Sequence, residues 1–211
     1  VQGCSTPRIP PCGGPGDSPR DHFVAGMEAL DAGQTDTAKG KFERAIYCDG
    51  DYSPPYGGLA IIHASIASRY SDPSHAAVER KKTADFLKLE SKKMRSYEEE
   101  MLHYLAVMRT ATVYGGEGWF GEVENAYRTA KRKAMTNRVL PFYGQAGSLD
   151  YFMGLACRKA QKIPQARELF ANVIRTGRDG KWFERADRAW KETDILERAS
   201  AGDALGSAGQ K

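Results

Sequence analysis

The sequence predicts an all-α protein, and three features of the chain support this prediction. Apolar residues recur at a helical spacing, in segments of about 12 to 20 residues, from Asp21 to about Ser200. Gly, Pro, Asp or Ser separates these segments, and such residues interrupt helices. No segment alternates apolar and polar residues convincingly, and the only β-branched patch runs from Thr110 to Tyr114. The length of 211 residues suits one domain with short appendages.

The individual helices follow from these segments and from the residues at their ends. Pro54, Pro73 and Pro164 stand where helices are expected to begin, because proline fits the first helical turn. Gly33 and Gly177 stand where helices are expected to stop. We therefore predict helices over residues 20–32, 35–48, 54–69, 73–94, 97–113, 118–136, 145–161, 164–176 and 181–199.

Two terminal segments differ in composition from the helical domain, which is predicted over 20–200. Residues 1–19 are rich in Pro and Gly, as in a tether, and residues 201–211 are small and polar, as in a flexible tail. No run of about 18 apolar residues occurs that would suggest a membrane-spanning helix.

The first four residues, Val-Gln-Gly-Cys, resemble the end of a bacterial lipobox, in which a lipidated cysteine becomes the new N-terminus. The resemblance implies lipid attachment at Cys4. The alternative is ordinary secretion, with Cys4 bonded to a nearby thiol such as that of Cys12. The even count of 4 cysteines suits disulfides in an oxidising compartment without requiring them. Cys157 lies in an apolar helical segment, where a buried thiol is expected.

An internal repeat emerges when the chain is shifted by 128 residues, because small and aromatic residues then coincide. The glycine of each copy would let a second helix approach closely. The alanine would face that gap, and the phenylalanine, one turn later, would fill the space between helix pairs. The coinciding repeat-packing residues are Gly26 with Gly154, Ala38 with Ala166, and Phe42 with Phe170.

At these positions residues 19–52 and 147–180 resemble the tetratricopeptide repeat (TPR) family. Residues 53–72 resemble the first helix of a further repeat, whereas residues 73–140 are helical but lack the signature. The resemblance covers about half of the chain. It implies a short TPR-like solenoid of antiparallel helix pairs with irregular central helices. The alternative is a helical bundle in which the spacing arises by chance.

The resemblance also implies a function, because TPR domains bind peptides or proteins in a groove lined by the first helix of each pair. Arg158 and Lys159 would suit an extended peptide with an acidic end. The residues expected in this protein-binding groove are Met27, Leu30, Asp31, Ile61, Ser65, Tyr151, Leu155, Arg158 and Lys159.

We therefore expect a non-enzymatic scaffold or adaptor in a bacterial cell envelope, tethered to the membrane through Cys4. Its partners would be other envelope or extracellular proteins or peptides, at the outer membrane, in the periplasm or at the cell surface. The alternative is a secreted structural subunit that self-associates into a larger or filamentous assembly. An enzyme with an unfamiliar helical site is the remaining possibility.

Motifs that would indicate catalysis, a metal or a cofactor are weak, and none of these is expected. The sequence from Gly116 to Gly121 matches G-x-G-x-x-G, but no βαβ unit or following acidic residue accompanies it. Glu100 and His103 form a lone E-x-x-H element, whereas a di-iron bundle needs two.

Charge does not favour nucleic acid as a partner, because the formal net charge of +4 is small and the signs are interleaved. Basic residues gather over 80–95 and 128–138, where solvated helix faces are expected. The alternative is a basic surface for an acidic partner or for anionic headgroups.

Overall fold

The computed structural model describes residues 12–137, 147–176 and 181–208, and all regular structure in these residues is helical. The all-α prediction is confirmed. For seven of the helices both predicted ends lie within two residues of the observed ones. The helices of the described residues are α1 (Pro19–Asp31), α2 (Thr35–Cys48), α3 (Pro54–Ala67), α4 (Pro73–Lys93), α5 (Tyr97–Tyr114), α6 (Trp119–Asn137), α7 (Ser148–Lys159), α8 (Ile163–Thr176) and α9 (Lys181–Ala208).

Local capping explains why several helices begin and end where they do. Before α1, the Ser18 hydroxyl accepts a hydrogen bond from the Asp21 backbone N–H at 3.1 Å. Before α5, the Ser96 hydroxyl accepts one from the Glu99 backbone N–H at 3.2 Å. Both bonds satisfy a donor that the first turn leaves without a partner. Gly115 ends α5 in the left-handed conformation at φ 58°, which glycine adopts without strain.

The helices contact one another in a regular pattern. Successive helices pair as α1 with α2, α3 with α4, α5 with α6, and α7 with α8, and α9 packs on α8. Each odd-numbered helix also contacts the next odd-numbered one, from α1 to α9. No two even-numbered helices contact each other in the described part of the chain. The odd-numbered helices therefore form a continuous inner row.

A single apolar core runs along this row. It extends from Phe23 in α1 to Ala189 in α9, and its largest wholly buried side chains include Phe42, Phe170 and Trp182. Among the described helices, none combines the length and the apolar character needed to cross a membrane.

The segment before α1 is attached to the domain. Cys12 forms a disulfide with Cys48 at the end of α2, and the Asp17 carboxylate pairs with the Arg44 guanidinium at 2.8 Å. The disulfide corrects one expectation, because Cys12 is bonded to Cys48 and not to Cys4. The predicted tether over 1–19 lies mostly outside the described residues. Cys4 itself lies outside the described residues.

At the other end, α9 extends further than the sequence predicted. It continues from residue 199 to Ala208, through the first eight residues of the expected tail. The small residues of this stretch include alanines, which favour helix although glycines lie among them. The predicted stop at Gly177 lies outside the described residues.

Candidate functional site

The two copies of the repeat have the same local packing. A Cβ atom placed on Gly26 would lie 2.5 Å from Cε1 of Phe42, and one placed on Gly154 would lie 2.5 Å from Cε1 of Phe170. Real Cβ atoms do not approach other atoms so closely, so each glycine makes room for a ring from the paired helix. A Cβ atom placed on Gly58 in α3 would also lie 2.5 Å from Phe42, at Cζ.

The remaining repeat positions are equally enclosed. Ala38 and Ala166, near the starts of α2 and α8, are both fully buried. In both copies the packing of a glycine, an alanine and a phenylalanine thus joins an even-numbered helix to its odd-numbered partner. This packing leaves other faces of α1, α3, α5 and α7 free to line a shared cavity.

A cavity of about 250 Å³ lies along the row of odd-numbered helices, and we call it the groove. Four different helices supply its walls, so no single helix pair forms it alone. Its lining is mainly apolar, with hydroxyl groups and one guanidinium. The lining residues are Leu30, Ile61, Ser65, Arg109, Thr112, Val113, Phe152 and Leu155.

Four of the residues expected in the groove line it: Leu30, Ile61, Ser65 and Leu155. Met27 does not, which corrects the expectation that it is exposed there. Its side chain is only 4% exposed because it faces the inner core between α1, α3 and α5.

Asp31 lies at the edge of this region as an ion-pair partner rather than as an exposed acid. Its carboxylate contacts Arg109 at 3.2 Å and Arg185 at 3.0 Å. The Arg109 guanidinium also stacks over the Phe152 ring, 4.8 Å from its centroid. These contacts hold the long Arg109 side chain across the groove, which fixes its position there.

The remaining expected groove residues, all on α7, have internal partners. The Tyr151 ring packs against neighbouring aromatic rings, including Trp182 at 5.3 Å between centroids, and burial raises the pKa of its hydroxyl. The Arg158 guanidinium donates to Glu192 at 2.7 Å. The Lys159 ammonium donates to backbone carbonyls at the end of α5. Arg158 and Lys159 therefore already have partners within the domain.

The sequence did not point to Arg109, Thr112, Val113 and Phe152 as groove residues. The first three lie on α5, in the region without a repeat signature, so the repeat gave no reason to choose them. A signal did exist. Arg109, Thr112 and Val113 have the three- and four-residue spacing of one helical face.

A second cavity, of about 500 Å³, lies between α6 and α8, with α7 as its floor. At the floor the buried Asp150 carboxylate accepts hydrogen bonds from the Tyr127 hydroxyl at 2.8 Å and the Lys131 ammonium at 2.9 Å. The Asn172 amide also donates to it. Cys157 lies beside this network, and burial raises the pKa of its thiol. Because Asp150 already accepts three hydrogen bonds, from residues of α6 and α8, this arrangement is best explained as a helix-joining network.

Inside the core, Glu90 is a wholly buried carboxyl group. Its Oε2 atom lies 2.8 Å from Nδ1 of His103. Burial raises the pKa of Glu90 to about 7, and the contact with His103 opposes that rise. A Cβ atom on Gly57 would overlap the carboxyl group of Glu90, so glycine is what lets this group fit against α3.

The weak motifs do not form reactive sites in the described residues. The Glu100 carboxylate pairs with Lys133 at 2.8 Å, whereas His103 turns to Glu90, so the E-x-x-H pair does not converge on one point. The first three residues of the glycine-rich motif lie in the turn between α5 and α6, with Gly118 at φ 73° directly before α6, and its last three residues lie in α6.

A cluster of potential metal ligands lies where the segment before α1 contacts the end of α2, and it consists of Cys12, Asp17 and Cys48. Its two sulfurs are bonded to each other and so offer no thiolate to a metal. Asp17 also contacts His22 at 2.6 Å. The hydrogen bonds from Arg44 and then His22 lower the pKa of Asp17 to about 2.

Comparison of the chain with protein-family models, with curated proteins and with solved structures gives no match. The functional argument therefore depends on the geometry of the chain itself.

Proposed function

We propose that the chain is a non-enzymatic scaffold with a TPR-like arrangement of helix pairs, and that it binds a peptide segment of another protein in the groove. The observation that carries this proposal is that four alternate helices, α1, α3, α5 and α7, line one cavity of about 250 Å³. The contact pattern supports the solenoid, because odd-numbered helices contact one another and the described even-numbered ones do not.

The chemistry of the groove favours a peptide with apolar side chains. Leu30, Val113 and Leu155 are partly exposed and offer apolar surface, and Ser65 offers a hydroxyl group. A segment of a protein partner could bury its apolar side chains here. We propose envelope or extracellular proteins of a bacterium as the partners, with an anchor through Cys4. The Cys12–Cys48 disulfide supports the exported location, because disulfides persist in oxidising compartments.

Substitution of a groove residue tests this function. Peptides are first selected from a displayed random library on the 211-residue chain, and their affinities are measured by fluorescence anisotropy. Ser65→Arg places a long charged side chain in the groove, and we expect it to weaken binding at least about tenfold, which is about 1.4 kcal/mol. Ser68→Arg is the matched control, since Ser68 is exposed at the end of the same helix and is not among the groove-lining residues.

The two variants separate the possible outcomes. Loss of binding with Ser65→Arg and normal binding with Ser68→Arg supports the groove. Equal binding by both variants would show that partners use another surface. Replacing Arg158 and Lys159 is a poorer test, because it also removes their contacts within the domain.

One observation favours the alternative of a self-associating structural subunit. On α9, which ends the row, Ile195 is 66% exposed and Leu196 is 48% exposed. Apolar side chains at the end of a stack of helices suit packing against another copy. Light scattering over a concentration series tests this alternative. Assembly that Ile195→Lys abolishes would favour it, and a constant monomer mass would oppose it.

A further inference from the structure

The outer face of α4 contains a concentration of positive charge that the groove does not use. Among its exposed side chains five are cationic and one is a carboxylate. This excess equals the formal net charge of the whole chain, +4, so the rest of the chain is balanced overall. The exposed charged residues of α4 are Arg80, Lys81, Lys82, Lys88, Lys92 and Asp85.

Three of these lysines form a strip along the helix. At about 100° per residue, Lys81, Lys88 and Lys92 point within about 40° of one another and span about 16 Å. None of the three forms an ion pair in the described part of the chain, unlike Lys82, whose ammonium contacts Glu79 at 2.7 Å. Their charges are therefore available to an anionic partner.

Two exposed apolar side chains lie on one side of this strip. Val78 is 54% exposed and Leu89 is 39% exposed, although most apolar residues of the chain are buried. Both project about 60° to 80° from Lys81 on the helical wheel, on the same side, and the exposed Asp85 lies between them and the lysines, at about 40°. Lysines next to exposed aliphatic residues on one helix face are typical of helices that lie in a membrane interface.

We propose that the outer face of α4 binds the surface of a bilayer that contains anionic lipids. The ammonium groups of Lys81, Lys88 and Lys92 lie among the headgroup phosphates and carboxylates. Val78 and Leu89 reach the boundary of the acyl chains. Charge complementarity would also suit an acidic protein, but the exposed aliphatic pair favours the bilayer. This inference does not depend on the groove or on acylation of Cys4.

Vesicle sedimentation tests the proposal with the 211-residue chain produced without an acyl group. Vesicles of phosphatidylcholine with phosphatidylserine are compared with vesicles of phosphatidylcholine alone. We expect binding to the anionic vesicles only, decreasing as salt rises. Changing Lys81, Lys88 and Lys92 together to Gln should weaken binding about a hundredfold, since each lysine near such a surface contributes about 1 kcal/mol.

The control variant changes the same net charge elsewhere. Lys39, Arg128 and Lys191 are exposed on other helices, and replacing all three by Gln disrupts only surface ion pairs. Normal binding by this control, with loss in the α4 variant, supports the proposal. Equal binding by the two variants would overturn it, and circular dichroism confirms that both are folded.

Two further results bear on the choice of partner. Val78→Ser combined with Leu89→Ser should weaken binding to the anionic vesicles, and unchanged binding would overturn the role of the apolar pair. Binding to polyglutamate without binding to vesicles would overturn the bilayer in favour of an acidic protein.

Discussion

Glycine-to-alanine substitutions at matched helical positions test how the repeat packs. Gly40 lies in α2, where an added Cβ would meet no atom within 4 Å, whereas Gly26 lies in α1 against Phe42. At Gly40, alanine should stabilise the protein by up to about 1 kcal/mol, because it is the better helix former. At Gly26 the same gain is opposed by a contact of 2.5 Å.

The ring of Phe42 has nowhere to move away from a methyl group at Gly26. It is fully buried, and a Cβ atom placed on Gly58 would also lie 2.5 Å from it. Overpacking of this kind costs about 1 to 3 kcal/mol. We therefore expect Gly26→Ala to be less stable than Gly40→Ala by about 1 to 3 kcal/mol. In a domain of this size that corresponds to a difference of about 2 to 12 °C in Tm.

Thermal and urea unfolding measure this difference, and Gly154→Ala provides an independent repetition against Phe170 in the second copy. Combining Gly26→Ala with Phe42→Leu should recover part of the loss, because the smaller side chain leaves room for the methyl group. Equal Tm values for Gly26→Ala and Gly40→Ala would refute the close-packing argument. So would a double variant whose losses simply add.

Three further predictions concern the Cys12–Cys48 disulfide and the carboxyl groups of Glu90 and Asp17. Reducing the Cys12–Cys48 disulfide should lower the free energy of unfolding by about 4 kcal/mol, because it closes a loop with a sequence separation of 36 residues. Urea unfolding with and without reductant measures this difference. An unchanged midpoint would contradict the prediction. The pKa of Glu90 is raised from 4.5 to about 7 in the folded state, so the protein loses stability as pH rises through that range. Glu90→Gln removes this loss and should therefore stabilise the protein at about pH 8 by up to about 3 kcal/mol. The free energy of unfolding, measured from pH 4.5 to 7, should then depend less on pH in the variant. The pKa of Asp17 is lowered from 3.8 to about 2, so its contribution to folding stability is present above pH 3.8 and lost as pH falls towards 2. Asp17→Asn should therefore make stability less sensitive to pH in this range. An unchanged acid unfolding transition would oppose this.

The sequence predicted the helices well because their signals are local. Proline at a first turn, as at Pro54 and Pro73, and a regular apolar spacing lie within a few residues of the boundary they define. The end of α9 was missed because its last part mixes alanine with glycine, and the composition alone suggested a tail. The overall composition of this segment predicts its structure less well than the positions of its individual alanines and glycines do.

The groove was only partly predictable because its remaining residues are set by distant contacts. Arg109 pairs with Asp31, 78 residues earlier in the chain, and no spacing rule connects the two. Met27 illustrates the opposite error. A position carried over from a repeat pattern assumes a fixed helix rotation, whereas the packing between α1, α3 and α5 turns Met27 into the core.

The groove and the outer face of α4 lie on different sides of α3, so the two proposed interactions can be tested separately. His63 faces α4, where its Nδ1 lies 2.5 Å from Glu79, whereas Ser65 lines the groove. Two residues of a helix that are about 200° apart lie on nearly opposite sides, so α3 stands between the groove and α4. A bilayer against α4 would therefore leave the groove open to a peptide.

This arrangement predicts that each variant affects one interaction only. Ser65→Arg should abolish peptide binding and leave sedimentation with anionic vesicles unchanged. The triple substitution of Lys81, Lys88 and Lys92 by Gln should do the reverse. Loss of both interactions in either variant, with the helical content intact, would mean that the groove and the basic face form one continuous surface. Independent losses would instead identify an adaptor that holds a partner on the side of the domain facing away from the membrane.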